Sequence, residues 1–297
     1  MSTTQELPSS VFIFGCGYVG TALARHLLAA GVRVGALTRN AEKVARLREL
    51  GLDPVIEGDL NSEDWHAALT GRYDAVVNCV SSAGGGLAGY RKSYLEGQRS
   101  ILKWAQSQDI KSYVYTSSTS VYPQDGGVMV DESSDTAEAP PTGQVVRESE
   151  ALLEEAAHLG RWYVLRLAGI YGPGRHYLLD QLRGGAEEIP GSGDYALNMI
   201  HRDDIVSAIC SALAGRAESG IYNIADDAPT TKAEVLADLA KKLGLPKPVF
   251  NPAIVSERLK RRGGRMPNRR ISNAKAKAAL DWAPKYPSYR EGYAALV

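Results

Sequence analysis

Three glycines in Gly15-Cys16-Gly17-Tyr18-Val19-Gly20 stand at the spacing of a phosphate-cradling turn. The first glycine of such a turn bends the chain sharply, and the second lets a pyrophosphate come close to the backbone. The third lets a helix pack tightly on the strand before it. The N–H groups and positive dipole end of that helix then face the anion. A plain strand-to-helix turn uses glycines too, so context separates the two readings. Here the apolar run Val11–Phe14 precedes the glycines and helical spacing over Thr21–Ala30 follows them, the context a dinucleotide needs. Gly15, Gly17, Tyr18, Val19 and Gly20 are the first expected cofactor-binding residues.

The end of the second strand selects the dinucleotide. An acid there hydrogen-bonds the adenosine ribose, whereas an arginine accommodates a 2′-phosphate. The chain has Thr38-Arg39-Asn40, with no acid before Glu42. A carboxylate would repel the phosphate and a planar guanidinium fork grips it. Thr38 and Arg39 therefore point to NADP, with NAD as the alternative; a solvated arginine at a helix start is the bland reading. Further along, Glu257–Arg270 carries seven basic residues, Arg262 and Arg265 among them, against one acid. That run suits an anionic substrate and equally a solvated surface, while the neutral remainder of the chain disfavours RNA.

These residues need strand ends and helix starts to hold them. Val32–Leu37, Pro54–Glu57, Asp74–Val80, Ser112–Ser117 and Trp162–Ala168 read as further strands. Between them lie helical stretches from Asn40 to Leu50, Ser62 to Leu69, Tyr90 to Gln108 and Gly143 to His158. Such alternation predicts an α/β fold: a Rossmann-type, doubly wound parallel sheet with helices on both faces. After Gly169 glycine and proline crowd the chain and elements shorten. Asp203–Ala214 reads as a helix with Asp203 at its cap, Ile221–Ile224 as a strand, and Thr231 with Glu234 as a capping box. The expected organisation is a disordered lead-in over 1–9 and a nucleotide-binding core over 10–171, completed by about 201–225. A smaller α/β substrate lobe would come from 172–200 and 226–297.

Composition narrows the partners. The 297 residues carry 34 basic and 34 acidic side chains, a neutral balance that argues against nucleic-acid or membrane-surface binding and leaves a small-molecule substrate. Three cysteines without a CxxC pair imply a reduced, cytoplasmic protein. No apolar run reaches membrane-spanning length, no histidine spacing suits a metal, and no nucleophile elbow occurs.

Further segments, in order along the chain, resemble the extended short-chain dehydrogenase/reductase family, which includes the NAD-dependent epimerases and dehydratases of nucleotide sugars. Gly58-Asp59-Leu60 is similar to the family's acid beside the adenine, and Asn78-Cys79-Val80-Ser81 to its strand end along the dinucleotide. Thr116-Ser117-Ser118-Thr119-Ser120-Val121-Tyr122 resembles the serine motif, with Ser118 at the catalytic position. Leu165–Gly174 resembles the run into Gly-Pro-Gly that carries Ala168 and Ile170 past the cofactor, and Ile200-His201-Arg202-Asp203 the later His-x-x-Asp segment. Arg270-Ile271-Ser272 through Trp282-Ala283-Pro284 is similar to the C-terminal pattern. The resemblance implies Asp59, Leu60, Cys79, Val80, Ser81, Ala168 and Ile170 at the cofactor. It also implies a homodimer through the helices Tyr90–Gln108 and Gly143–His158.

The family's chemistry adds a Tyr-xxx-Lys pair to the serine. The tyrosine trades a proton with the substrate and the ammonium lowers its pKa. Here Gly143 stands at the tyrosine position and Arg147 at the lysine position, and no tyrosine has a lysine four residues on. Glycine has no proton to exchange, and arginine stays protonated, though it can still hydrogen-bond the nicotinamide ribose. This departure resembles an atypical, YeeZ-like subgroup. Tyr122 is a candidate replacement for the tyrosine, and Tyr171 and His176 are candidate substrate contacts; core or loop packing is the bland reading of each. The expectation is an NAD(P)-dependent oxidoreductase or epimerase/dehydratase-like enzyme. Its substrate would be anionic and nucleotide-sugar-like, and its proton transfer non-standard. The alternative is a catalytically silent NADP(H)-binding sensor or scaffold.

Overall fold

The computed structural model describes residues 6–82, 84–255, 260 and 266–297. In chain order, β1 (Ser10–Phe14), α1 (Tyr18–Ala29), β2 (Arg33–Thr38), α2 (Ala41–Glu49), β3 (Val55–Glu57), α3 (Asp64–Ala68) and β4 (Ala75–Asn78) open the fold. Then come α4 (Gly86–Tyr90), a π-helical turn Arg91–Glu96 and α5 (Gly97–Ala105), so the long helix expected over this stretch is three segments. Next are β5 (Ser112–Ser118), β6 (Val128–Val130), α6 (Pro141–Glu154), β7 (Arg161–Leu167), β8 (Gly169–Tyr171) and α7 (Tyr177–Arg183). Short strands β9 (Glu188–Pro190), β10 (Ala196–Leu197) and β11 (Met199–His201) lead into α8 (Arg202–Leu213) and β12 (Gly220–Ile224). β13 (Thr230–Thr231), α9 (Lys232–Leu243), β14 (Val249–Asn251) and β15 (Arg269–Ile271) follow, then helices Ala274–Ala279 and Tyr289–Ala294.

Seven strands form one sheet in the order β12-β7-β5-β4-β1-β2-β3, and every neighbouring pair is parallel. This is the doubly wound Rossmann arrangement. Helices cover both faces, so the strands are apolar on both sides, and alternate residues divide between two cores. Val11, Ile13, Val77 and Val114 pack with Leu23 and Leu27 of α1 and Ile205 and Ile209 of α8. Phe12, Phe14, Val76 and Tyr113 pack with Trp65, Ile101, Trp104 and Leu153 on the opposite face. Leu7 packs against the first cluster and the Ser9 hydroxyl donates to Asp74, so the expected loose lead-in is held in place over its last residues.

A third cluster joins Leu178, Leu179 and Leu182 of α7 to Val235, Leu236 and Leu239 of α9 and to Tyr289 and Tyr293. Thr231 caps α9 as expected, its hydroxyl accepting the Glu234 N–H at 3.2 Å. The Glu234 carboxylate, however, turns to Arg290 (2.8 Å) rather than back to the cap. The start of α8 corrects the sequence reading. His201 is the cap, its Nδ1 accepting the Asp203 N–H at 3.2 Å, and Asp203 lies inside the first turn bonded to Arg202. Among the described residues no helix is long and apolar enough to cross a membrane.

Candidate active site

Parallel strands present all their C-terminal ends at one edge, and the chain winds away from β1 in both directions, leaving a crevice there. Across that edge the expected residues fall in one spatial order: Asp59 after β3, Thr38 and Arg39 at β2, the glycine turn after β1, and Cys79 to Ser81 after β4. Ser118 at β5 and Ala168 to Ile170 after β7 complete the row. A dinucleotide laid over the turn would meet them from its adenine end to its nicotinamide end.

The three glycines have separate physical reasons. Gly15 sits at φ +90°, and a Cβ there would lie 2.7 Å from the backbone of Cys79 and Val80, so β1 and β4 exit in contact. A Cβ on Gly20 would meet the Gly15 carbonyl at 2.4 Å, which is how closely α1 returns to the strand. A Cβ on Gly17 would have nothing within 4 Å among the described residues, and the residue is exposed at the start of α1. No side chain caps this helix and no acid stands in its first turn. Two glycines thus close the turn and the third opens a cradle, which fits a pyrophosphate. Cys16 and Val19 are buried in the core behind it.

Arg39 is exposed just before α2, whose cap is Asn40 (Oδ1 accepting the Lys43 N–H at 3.1 Å). Asp59 accepts the N–H of Asn61 (3.1 Å) and the Lys92 ammonium (3.3 Å). The backbone bond from Asn61, more than the ammonium, holds its carboxyl below the usual range. Leu60 is buried. The Cys79 N–H donates to the Phe14 carbonyl (2.7 Å) and the Val80 N–H to the Asn78 side chain (3.0 Å). Burial pushes the Cys79 thiol up to about 12, so it lines the crevice as an apolar group. Ser81 is exposed.

Ser118 ends β5. Its hydroxyl oxygen accepts the Ser120 N–H (3.1 Å), and its own proton has no acceptor among the described residues, so it can donate to a bound ligand. Gly143, in the first turn of α6, is pressed against that same turn: a Cβ would lie 2.7 Å from the Ser120 carbonyl. Arg147 reaches along α6 to Glu150 (3.4 Å) and Glu154 (3.3 Å). Both contacts are made by Nη1.

Tyr122 does not fit proton transfer. It is 1% exposed, its hydroxyl donates to Asn223 Oδ1 (2.8 Å) and accepts from Arg166 (2.9 Å), and burial raises its pKa. The same network holds Glu150, which sequence spacing places on a solvated or salt-bridged helix face. It is fully buried, accepting from the Ser117 hydroxyl and from both Nε and Nη2 of Arg166. One signal was available: Arg166 lies between Leu165 and Leu167 in a strand buried on both faces, where a charge must have a partner.

Beyond Ile170 opens a cavity of about 740 Å³ between the sheet edge and the third cluster. Tyr171 lines it from below, its hydroxyl donating to the Ser288 carbonyl (3.4 Å) and its ring stacked on Tyr293. His176 lies outside the lining, with Nδ1 at 2.7 Å from Asp180. Arg262 and Arg265 lie outside the described residues. Arg175, which the sequence reading passed over, lines the cavity and also faces Tyr18 of the glycine turn (5.6 Å to the ring centroid). The Tyr18 hydroxyl donates to the Pro173 carbonyl (3.0 Å), tying the turn to the loop that carries Arg175. Behind this loop His201 is buried between Tyr171 and Tyr286, and desolvation lowers its pKa, favouring the neutral ring.

The sequence profile of the NAD dependent epimerase/dehydratase family matches residues 11–225. Protein YeeZ of Escherichia coli K12 is 30% identical over 251 residues, covering 83% of this chain and 88% of that protein. A Streptomyces 3-diazoavenalumate denitrifying reductase is 28% identical over 301 residues, covering 93% and 96%. Among solved structures, the UDP-glucose 4-epimerase of Thermotoga maritima superposes with a TM-score of 0.82 at 23% identity, covering 95% and 96% of the two chains, a likeness of fold.

Proposed function

The chain belongs to the NAD dependent epimerase/dehydratase family, and from that premise we propose that it is an NADP-dependent oxidoreductase acting on an anionic small molecule. The observation that carries this reading is the row of strand-end residues from Asp59 to Ile170 and the cavity that begins where the row ends. The dinucleotide, when bound, supplies or accepts a hydride. Gly15, Gly17, Gly20 and the first turn of α1 would hold its pyrophosphate, Arg39 its 2′-phosphate, and Asp59 with Leu60 its adenine. Cys79, Val80 and Ser81 would line its path, and Ala168 and Ile170 the nicotinamide end. Ser118 would orient the reacting group through its free hydroxyl proton. With glycine at position 143, the proton comes from water. The relative named a denitrifying reductase supports reductive chemistry, and the epimerases among the fold neighbours support a nucleotide-sugar-like substrate.

Fluorescence titration with NADPH and NADH, followed by a turnover screen over carbonyl compounds and nucleotide sugars, tests this. NADPH is expected to bind more tightly than NADH, and Ser118→Ala to lower turnover without changing dinucleotide affinity. A second reading, dinucleotide binding without turnover, draws on two observations: Gly143 pressed on Ser120, and Arg147 held by Glu150 and Glu154. Tight NADPH binding with no oxidation across the whole panel would establish that reading instead.

A further inference from the structure

A pyrophosphate brings negative charge to the glycine turn, yet the turn itself, Gly15 to Gly20, contains no cationic side chain. The helix end contributes about half an elementary charge. Arg39 stands at the end of β2, toward the adenosine side. A cation for the phosphates would come from another part of the chain.

The loop after β8 supplies one. Gly172 and Arg175 bond to each other in both directions, N–H to carbonyl at 3.0 Å and 2.9 Å, which closes a tight turn. Gly172 at φ +141° and Gly174 at φ +74° hold backbone that other residues rarely adopt. The turn is pressed on Tyr18: that hydroxyl donates to the Pro173 carbonyl, and a Cβ on Gly172 would lie 3.0 Å from it. Gly17, Tyr18, Pro173 and Gly174 accordingly line one shared space of about 710 Å³. Arg175 is fixed one residue further on, its guanidinium 5.6 Å from the centroid of the Tyr18 ring.

The charge on Arg175 is available. The residue is exposed, and among the described residues its guanidinium has no ion-pair partner. Asp203 holds Arg202, the other guanidinium on Tyr18, at 2.9 Å. Asp194, on the same cavity wall as Arg175, takes the Ser192 hydroxyl. A ring face beside the guanidinium leaves its N–H edge free to donate.

Resting on the dinucleotide-binding part of the reading above, we propose that Arg175 is a second holder of the cofactor's pyrophosphate, added to the Gly17 cradle. A guanidinium fork meets phosphate oxygens through parallel charge-assisted hydrogen bonds. Arg175 then serves NADPH and NADH alike, whereas Arg39 tells them apart. The same contact fastens the start of the cavity wall to the nucleotide.

Calorimetric titration of the full chain with NADPH, NADH and ADP-ribose tests this, ADP-ribose keeping the pyrophosphate without the nicotinamide. Arg175→Gln is expected to weaken all three by a similar factor, about tenfold or more, with an unchanged melting temperature in the absence of ligand. Arg175→Lys should recover part of the loss, since a point charge keeps the attraction without the fork. Arg39→Asp, in contrast, should weaken NADPH alone. Unchanged affinities in Arg175→Gln overturn the assignment and leave the guanidinium to the ligand of the cavity. A loss confined to NADPH, or absent for ADP-ribose, overturns it as well, because Arg175 would then read the 2′-phosphate or the nicotinamide end. A parent chain that binds none of the three overturns the dinucleotide reading together with this one. With parent binding intact, the outcome bears on Arg175 alone.

Discussion

Arg166 of β7 and Glu150 of α6 form a buried, doubly hydrogen-bonded ion pair, with Nε to Oε1 at 3.0 Å and Nη2 to Oε2 at 2.7 Å and side-chain exposures of 2% and 0%. The pair fixes α6 against the sheet one turn below Arg147. Removing one partner leaves an uncompensated buried charge, so Glu150→Gln should cost about 3–5 kcal/mol in urea unfolding. The double variant Glu150→Leu/Arg166→Met should recover most of that loss. A cost below 1 kcal/mol for the single variant, on the order of an exposed pair, would show that water reaches the site.

The glycines of the turn should separate on substitution. Gly15→Ala and Gly20→Ala each drive a Cβ into backbone and should lower the melting temperature. Gly17→Ala meets nothing among the described residues, so it should melt close to the parent. It should nonetheless bind NADPH about tenfold or more weakly, because its methyl occupies the cradle. Equal NADPH affinity in Gly17→Ala and the parent would move the pyrophosphate elsewhere.

Arg39→Asp is expected to weaken NADPH about tenfold or more while leaving NADH unchanged or improved. Affinities that do not shift in that variant would return Arg39 to a solvated helix-start role.

Restoring the family's pair should fail. In Gly143→Tyr/Arg147→Lys the new Cβ lies 2.7 Å from the Ser120 carbonyl, so the turn holding Ser118 has to shift. A lower melting temperature with no gain in turnover is expected. A stable, more active variant would show that α6 has room for a tyrosine.

Asp226, buried after β12, carries a pH signature. Burial, with Asp227, Asp204 and Glu291 nearby, pushes its carboxyl up to about 8, against roughly 3.9 in an unfolded chain. Between those values the folded protein keeps a proton that the unfolded chain has released, so stability from this group falls as pH rises from about 4 through about 8. Asp226→Asn should therefore melt higher than the parent by a margin that widens from pH 5 to pH 9. A margin independent of pH would show Asp226 ionised throughout.

The fold was legible because strands buried on both faces leave continuous apolar runs, as in Val11–Phe14 and Asp74–Val80, punctuated by glycines and caps. The strand-end residues were legible for a topological reason: a parallel sheet collects them at one edge however far apart they lie in sequence. Glu150 was not, since its i,i+3 neighbour Arg147 makes it read as surface and its true partner sits on another element. The cap of α8 was misread because an imidazole Nδ1 accepts an N–H as a carboxylate does. Arg175 had no local signal. Its meaning comes from Tyr18, more than 150 residues earlier, and from a cavity assembled out of separate loops.

The strands Gly169–Tyr171 and Met199–His201 lie side by side in register, so the intervening stretch 172–198 leaves and rejoins the body of the protein through one small ladder. That stretch supplies much of the cavity wall, while the glycine turn, Arg39 and Asp59 lie wholly outside it. Changes there redraw what the cavity admits, and they reach the nucleotide edge only where Pro173 and Arg175 meet Tyr18. The wall of the cavity and the nucleotide edge are thus built from separate stretches of chain that meet at Tyr18.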